Sequence, residues 1–181
     1  LLGASIANGA ISGALTLTGL FLLGYVFDIT TSLQLVELSR PNHPLLVQLL
    51  RTAPGTYQHS LHVANLAEQA ARNIGANTML VRVSALFHDI GKTTNPEYFV
   101  ENQAEGRNPH TNMGPQLSSN VIVSHVTDGD TMAKKHRLPT VIRDAILEHH
   151  GTTITRYQYD NALKIAEEND EKVDISEYTY P

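Results

Sequence analysis

Adjacent imidazole and carboxylate side chains near the middle of this sequence are its first candidates for chemistry. His88 and Asp89 stand side by side where an apolar, helix-like run ends, and Gly91 and Lys92 follow almost at once. Such a pair is either a solvated helix end or half of a metal site, because both groups can bind a divalent cation. The pair alone does not distinguish the two, and the positions of the other histidines are needed.

Four further histidines lie at positions that suit a shared centre. His59 falls about one turn into a predicted helix, His125 lies within a later one, and His149 and His150 end the next. Neighbouring residues on a helix point about 100° apart, but at a helix end both side chains can reach one cavity. A glycine follows each adjacent pair closely and lets the chain turn away. The ordered set predicts a centre built from these histidines, His88 and the neighbouring aspartate.

The donor types limit the chemistry of this centre. The chain has no cysteine, so any metal must be held by nitrogen and oxygen, a set that suits iron, manganese or zinc. Asp89 has two oxygens and can bridge two ions about 3.5–4 Å apart, between which a trapped water becomes a hydroxide nucleophile at neutral pH. Lys92 then offers a positive charge to the oxygens of a phosphodiester. The pattern indicates a metal-dependent phosphodiesterase.

Three other histidines carry weaker signals. His43 and His136 each adjoin a loop-like stretch and are interpreted as ordinary residues. His62 lies three residues after His59 and therefore shares its helix face. We expect His62 to face the core or to support a ligand, with a direct ligand role as the alternative.

The elements that must position these residues begin with an apolar segment. Residues 1–27 contain no charged side chain, and as a helix they would span about 40 Å, more than the ~30 Å hydrocarbon core of a bilayer. Gly9 and Gly13 have the GxxxG spacing of packed membrane helices. A signal peptide fits poorly, because no basic residues precede the segment and no cleavage pattern follows. We predict a transmembrane helix, with a buried helix of a soluble protein as the alternative.

Residues 28–53 are predicted to form a helical connector of two short helices. Thr31 or Ser32 can cap the first helix, and Asn42 can cap the second, with Pro44 in its first turn. Leucines give the second helix an apolar stripe. The connector would join the membrane helix to the next domain and, together with the GxxxG spacing, suits a homo-oligomer.

Residues 54–181 are predicted to form an all-α domain. Thr56 is the predicted cap of its first long helix, Gly75 ends that helix, and Asn77 caps the next. No stretch shows the alternation of a β-strand. Later helices are predicted over residues 117–135, 139–150 and 156–168.

Two segments of this domain lack a helical pattern. Residues 98–116 are rich in Asn, Pro and Gly and are predicted to form a loop. The overlapping stretch 97–110 is a candidate wall of the substrate pocket. Residues 167–181 are acidic, and we expect them to be at most partly ordered.

Size and charge bound the class of protein. A chain of 181 residues with a formal net charge of -5 suits one globular domain and has no basic excess that would indicate nucleic acid as a partner. The chain begins with Leu1 and its first methionine is Met79, so we expect a fragment or a processed product.

Longer motifs around these residues resemble the HD phosphohydrolase superfamily, and within it the HDIG branch. The segments LSRPNHPLL, APGTYQHSLHVANLAEQAA, ALFHDIGKT, FVENQAEGRNPH, SHVTDG and EHHGT look like the cytoplasmic HD domain of the seven-transmembrane HD family. Those proteins are the PgpH-type cyclic di-AMP phosphodiesterases. The resemblance runs from the apolar segment to nearly the last residue.

The resemblance implies an all-α HD-domain helical bundle, preceded by the last of seven transmembrane helices in the bacterial inner membrane. The HD domain would lie in the cytoplasm, act in signalling and hydrolyse cyclic di-AMP to pApA with two divalent ions, commonly iron or manganese. Asp89 and Lys92 are the implied catalytic residues, and Lys92 also faces the substrate. His110 matches a loop histidine, for which we consider substrate binding and a loop-ordering hydrogen bond. The implied metal ligands are His59, His88, Asp89 as the bridge, His125, His149 and His150.

One departure from the family concerns a further ligand. The family completes its metal site with an aspartate on a later helix, and this chain stops at Pro181 before such a helix. Asp160, Asp170 and Asp174 come too early and in a different local sequence to replace it. The ion held by His59, His88 and Asp89 would then lack one charged ligand, so we expect this chain to bind metal weakly at that site and to react slowly or not at all. Two alternatives are hydrolysis of another nucleotide, such as another cyclic dinucleotide or ppGpp, and a non-catalytic nucleotide sensor.

Overall fold

The computed structural model describes residues 2–181 and is built from helices. Short 3-10 helices cover residues 90–93, 96–98, 100–102, 109–112 and 175–178, and the β-type pairing within the described chain is one isolated bridge between Ile154 and Thr179. The predicted all-α class is confirmed. The α-helices are α1 (Leu2–Val26), α2 (Ser32–Leu38), α3 (Pro44–Thr52), α4 (Pro54–Asn73), α5 (Thr78–Phe87), α6 (Pro115–Lys135), α7 (Thr140–Glu148) and α8 (Arg156–Asn169).

Helix α1 stands apart from the core of the domain. Its segment Leu2–Gly24 has a mean hydropathy of 1.6 and none of it is buried. By length and composition it is long and apolar enough to cross a membrane. The alternative of a helix buried in a soluble core is therefore not what the structure shows for this part of the chain.

The core forms where α2, α3, α5 and α7 pack together, with a contribution from α6. The predicted leucine stripe of α3 buries Leu45, Leu46 and Leu49, whereas Leu50 is 45% exposed. Phe87, the last residue of α5, is fully buried next to these leucines in the same cluster. The buried cluster therefore fixes the end of α5, which is the point where His88 follows.

Several predicted helix caps are present. The Thr31 side chain accepts a hydrogen bond from the Gln34 amide, so α2 begins as expected. Asn77 accepts from the Leu80 amide at the start of α5. Gly75, just past the end of α4, has a φ of +69°, a left-handed conformation that glycine adopts without a Cβ penalty.

Two other predicted caps are wrong. Helix α3 is capped by His43 instead of Asn42, because His43 Nδ1 accepts a hydrogen bond from the Leu45 amide. Helix α4 begins at Pro54, so Thr56 already lies inside the helix and is not its cap. No side chain caps the first turn of this helix. Thr56 is fully buried and its hydroxyl bonds to a loop instead.

The turn after α5 approaches α6 very closely. A Cβ atom on Gly91 would collide with the carbonyl oxygen of His125, and a Cβ on Gly129 would lie 2.9 Å from a methyl group of Ile146. Glycine at both positions lets the turn pack backbone to backbone against α6 and lets the Ile146 side chain of α7 pack on the α6 backbone. This contact places the residues that follow α5 beside the middle of α6.

The acidic C-terminal segment is ordered, contrary to expectation. It packs back on the chain that follows α7: the Thr155 amide donates to the Tyr178 carbonyl at 2.9 Å, and the Tyr180 amide donates to the Thr153 carbonyl at 3.0 Å. Tyr178 is buried with 3% of its surface exposed. The prediction failed because the segment has no helical periodicity and gains its order from pairing with a distant loop.

A long-range cap joins the end of α1 to α7. Asp28 has a φ of 49°, and its Oδ2 accepts a hydrogen bond from the Thr140 amide at 3.0 Å. Pro139, which precedes α7, supplies no side-chain cap of its own. Asp28, two residues after the end of α1, therefore satisfies an amide at the start of α7.

Candidate metal centre

Helix ends and one helix interior converge on a single buried carboxylate. Asp89 follows α5 and is 2% exposed, and His125 from the middle of α6 is equally buried. His59 comes from α4, and its side chain is 49% exposed. The pair that follows α7 completes the set. The structure thus brings together all six residues that the sequence singled out as ligands: His59, His88, Asp89, His125, His149 and His150.

The two oxygens of Asp89 face different imidazoles. Oδ2 lies 3.1 Å from His88 Nε2 and 3.9 Å from His59 Nε2. Oδ1 lies 3.3 Å from His125 Nε2 and 3.6 Å from His149 Nε2. A carboxylate with one oxygen toward each set of nitrogens has the geometry needed to bridge two cations.

The ligand atoms form two groups. In each group the potential ligand atoms all lie within 4.8 Å of one another. A spacing of this size allows one ion to reach every member of a group after small side-chain rotations. The first group is His59, His88 and Asp89, and the second is His125, His149 and His150.

Backbone carbonyls fix the orientation of three of the rings. Nδ1 of His88, His125 and His149 lies 2.7, 2.5 and 2.8 Å, respectively, from the carbonyl oxygen three residues earlier. A carbonyl oxygen can only accept, so each Nδ1 carries a proton and donates it. In the neutral ring Nε2 then has the free lone pair, and in all three residues it is Nε2 that faces Asp89. This is the arrangement that metal-binding histidines adopt.

The carboxylate itself fits a bound cation. Within the described chain, Asp89 Oδ1 is buried and has no hydrogen-bond partner. A buried, unpaired carboxylate oxygen among imidazole nitrogens is costly unless positive charge lies beside it. The donor set and this orphan oxygen both fit a divalent metal ion.

Local electrostatics favour the charged carboxylate. Burial alone would raise the pKa of Asp89, but the imidazoles of His125, His149 and His88 outweigh it and hold the pKa well below its usual range. For His88 burial opposes the charge, yet the hydrogen bond and charge of Asp89 outweigh it and raise the pKa. Burial together with the neighbouring imidazoles of His149 and His125 lowers the pKa of His150 to about 4. His150 is therefore neutral and ready to bind metal at any pH near 7.

Lys92 is fixed beside the carboxylate. Its Nζ lies 2.9 Å from Asp89 Oδ2, 2.9 Å from Glu101 Oε1 and 5.0 Å from the centre of the Phe99 ring. Burial would lower the pKa of Lys92, but the two carboxylates outweigh it, Asp89 first, and raise the pKa. The lysine is thus a permanent positive charge held in place, as the sequence predicted for a charge near the centre.

The loop predicted as a candidate wall of the substrate pocket holds Lys92 from the other side, through Glu101. Glu101 Oε1 also accepts from the Thr56 hydroxyl at 2.9 Å, and that hydroxyl accepts from the Asn102 amide at 2.8 Å. A Cβ on Gly55 would collide with the Glu101 carbonyl, so the loop packs directly on the first turn of α4. The acidic residue within the quoted FVENQ motif was the available signal, but nothing in its local pattern indicated a partner.

His110 orders its loop. Its Nε2 donates to the Tyr98 carbonyl at 2.8 Å, and its Nδ1 accepts from the Ser118 hydroxyl at 2.7 Å. Both ring nitrogens are therefore engaged, which favours the loop-ordering alternative. His110 is not part of either ligand group, and substrate binding by this residue stays a prediction.

The remaining histidines lie outside the centre. His62 is exposed on α4, so it does not face the core. That it supports a ligand or binds metal itself stays a prediction. His43 caps α3 and packs edge-on against Phe87, with 5.1 Å between ring centres. His136 lies 6.5 Å from His43 by the same measure.

An aromatic ring from the C-terminal segment covers His150. The rings of Tyr180 and His150 are stacked with centres 3.9 Å apart and planes 15° apart, and Tyr180 lies 6.2 Å from His125. Burial, followed by the charge of Asp89, raises the pKa of the Tyr180 phenol to about 12. Sequence reasoning missed this residue because it treated the segment as largely unordered.

Helices that converge on a buried carboxylate surrounded by imidazoles define a helical metal-binding domain. The chain belongs to the HD domain family, which matches residues 56–177. HD domains bind divalent metals.

Two relatives from bacteria are named cyclic-di-AMP phosphodiesterase PgpH. The protein of Listeria monocytogenes serotype 1/2a (strain 10403S) is 47% identical over 170 residues, covering 90% of this chain and 23% of the relative. That of Bacillus subtilis (strain 168) is 45% identical over 155 residues, covering 86% and 21%. The chain therefore spans less than a quarter of the length of either relative.

A solved structure matches the fold. The crystal structure of the L. monocytogenes PgpH HD domain in complex with cyclic di-AMP has a TM-score of 0.72 and 50% sequence identity, covering 78% of this chain and 64% of that chain. The predicted resemblance to PgpH proteins is confirmed.

Proposed function

We propose that this chain provides the catalytic domain of a phosphodiesterase that hydrolyses cyclic di-AMP to pApA. The observation that carries the proposal is the position of Asp89, whose two buried oxygens face two different sets of imidazoles. The names of the two PgpH relatives and the complex of one HD domain with cyclic di-AMP support the substrate.

The proposed cofactors are two divalent ions, with iron or manganese as the best match to the nitrogen and oxygen donors. Bound to this chain, such ions would polarise the phosphodiester and lower the pKa of a water molecule. Asp89 would contribute one oxygen to each ion. The first ion would be held by His59 and His88 as well, and the second by His125, His149 and His150.

The side chains around the ions have separate tasks. The Nδ1 hydrogen bonds keep the imidazoles pointing at Asp89 before any ligand arrives, which lowers the cost of ordering them. Lys92 would attract the phosphate oxygens while Glu101 keeps its Nζ beside the carboxylate. The 49% exposed side chain of His59 marks the side from which a nucleotide can approach.

The location proposed for the domain follows from α1. As a membrane-spanning helix, residues 1–27 would anchor the chain in the bacterial inner membrane, and residues 28–53 would connect it to the HD domain of residues 54–181 in the cytoplasm. The exposed apolar surface of α1 supports an anchor, and its glycines suit contact with further membrane helices or a second copy.

Hydrolysis of cyclic di-AMP is the direct test. We would assay the intact natural protein in detergent with Mn²⁺ or Fe²⁺ and follow pApA by chromatography, with Asp89→Asn as the inactive control. Formation of pApA by the parent protein, but not by Asp89→Asn, supports the proposal. A metal-loaded parent that leaves cyclic di-AMP intact contradicts it.

The alternatives are separated by the same assay. Competition between cyclic di-AMP, other cyclic dinucleotides and ppGpp would show which nucleotide is turned over fastest. A protein that binds cyclic di-AMP with micromolar affinity or better, but yields no product with either metal, would be a nucleotide sensor.

A further inference from the structure

One ligand of the candidate centre is held differently from the others. The rings of His88, His125 and His149 are each fixed by a hydrogen bond from Nδ1 to a backbone carbonyl. Within the described chain neither ring nitrogen of His150 has such a bond, and its ring instead lies flat against Tyr180 at 3.9 Å. The other ring contacts of His150 in the described chain are with His149 at 4.1 Å and His125 at 5.2 Å, the two residues that share its ligand group, so Tyr180 is the ring neighbour that comes from outside the group.

We propose that Tyr180 is a positioning residue for the metal centre, acting through His150. The stacked phenol ring holds the imidazole in the orientation in which it completes the group formed with His125 and His149. It thereby sets the affinity of that group for its ion and leaves the group around His59 unaffected. This inference rests on the metal centre described under Proposed function.

The backbone around Tyr180 is anchored well enough for this task. Its amide donates to the carbonyl of Thr153, three residues after His150, at 3.0 Å. Thr179 pairs with Ile154 in the isolated bridge. These contacts connect Tyr180 to the short segment that follows His150. The same segment therefore holds the two rings next to each other.

The contacts on the other side of this segment hold it on α6. The Ser119 hydroxyl lies 2.7 Å from that of Thr155, which is 6% exposed, and the Thr155 amide donates to the Tyr178 carbonyl. Helix α6 also carries His125, another member of the same ligand group. Tyr180 is thus fixed relative to two of the three histidines whose ion it would influence.

The test measures metal binding, not turnover. We would titrate the full 181-residue chain in detergent with Mn²⁺ by calorimetry and count bound ions by elemental analysis, comparing the parent with Tyr180→Phe, Tyr180→Ala and Tyr180→Leu. Tyr180→Phe keeps the stacked ring, whereas the other two remove it. We expect Tyr180→Ala and Tyr180→Leu to weaken one of two binding steps by about 10-fold or more, the usual effect of losing a ligand's supporting partner. Tyr180→Phe should match the parent.

Tyr157→Ala is the matched control, since Tyr157 is 73% exposed on α8 and lies outside both ligand groups. Circular dichroism establishes which variants are folded, and Tyr180→Leu decides the matter if the alanine variant unfolds. Folded Tyr180→Leu that binds Mn²⁺ as tightly as Tyr180→Phe in both steps would overturn the positioning role alone. A parent chain that binds no Mn²⁺ would overturn the metal centre itself and this role with it.

Discussion

At the scale of single residues, Asp89 determines what the centre can do. Its role was predicted from its place in the ordered set of histidines, because the His–Asp pair alone does not distinguish a metal site from a solvated helix end. The surrounding histidines were predicted from their order along the chain. Which imidazoles lie near which oxygen of Asp89 could not be predicted, since this depends on where α4, α6 and α7 place their side chains in space.

Replacing Asp89 by asparagine should abolish metal binding. The amide is neutral and its NH2 group would point at imidazole nitrogens, so both ligand groups lose their shared charge. We expect the Mn²⁺ affinity to fall by at least about 100-fold, the upper end of what losing a supporting partner costs. Isothermal calorimetry measures the effect. Asp144→Asn, on the exposed face of α7, is the control and should bind Mn²⁺ like the parent.

The raised pKa of His88 predicts how metal affinity depends on pH. A metal ion must displace the proton from His88, so the apparent affinity should rise with pH and continue to rise above the ordinary histidine value of 6.5. The apparent metal affinity should rise by up to about tenfold per pH unit for one displaced proton. His150, whose pKa is about 4, is already neutral in this range and adds nothing to the slope.

Mn²⁺ titrations between pH 5.5 and 8.5 measure this dependence, and repeating them in buffers of different ionisation enthalpy counts the protons released. An affinity that reaches its plateau below pH 6.5 would contradict the prediction.

At the scale of elements, helices were predicted well and their contacts were not. The leucine stripe of α3 and the cap residues Thr31 of α2 and Asn77 of α5 were sufficient to place these three helices. Thr56 was taken for a cap because its residue type suits one, whereas its hydroxyl in fact holds the loop that carries Glu101. A hydrogen bond between residues 45 positions apart leaves no local trace in the sequence.

Thr56→Val should loosen that loop. The valine has a similar shape but no hydroxyl, so the side chains of Glu101 and Asn102 each lose a partner in a partly buried place. We expect the free energy of unfolding to fall by about 1–3 kcal/mol, measured by urea denaturation. Thr56→Ser keeps the hydroxyl and should recover most of the loss; equal instability of both variants would indicate that packing alone matters.

Gly91→Ala should separate the turn after α5 from α6. The added methyl group collides with the carbonyl oxygen of His125, and relieving the overlap requires backbone movement that typically costs about 1–3 kcal/mol. The same movement displaces His125 relative to Asp89, so metal affinity should fall together with stability. Gly19→Ala, where a Cβ has no neighbour within 4 Å, is the control and should change neither quantity.

At the scale of the whole molecule, the chain consists of a compact helical domain and an apolar helix of which no residue with a described side chain belongs to the buried core. The lack of charge in residues 1–27 and the histidine order of the domain are enough to predict this organisation. The packing of the last twelve residues was missed, because their order depends on partners between α7 and α8 and not on their own composition.

Removal of residues 1–27 should therefore leave the domain folded. Because α1 buries none of the core, we expect the free energy of unfolding to change by no more than about 1 kcal/mol, the cost of altering the cap at α7. The shortened chain should also stay in solution without detergent. Urea denaturation and sedimentation after detergent removal measure the two outcomes, and a cooperative loss of structure would contradict them.

The hydrogen bond from Thr140 to Asp28 gives the apolar helix a mechanical connection to the chemistry. Helix α7 has nine residues, a rod about 14 Å long, with Asp28 bonded to its first residue and His149 directly after its last. A tilt or rotation of α1 that pulls on Asp28 therefore moves one end of a rigid rod whose other end carries two imidazoles. In the proposed membrane-anchored protein, motion of α1 would need only one hydrogen bond and one helix to reach the histidine pair.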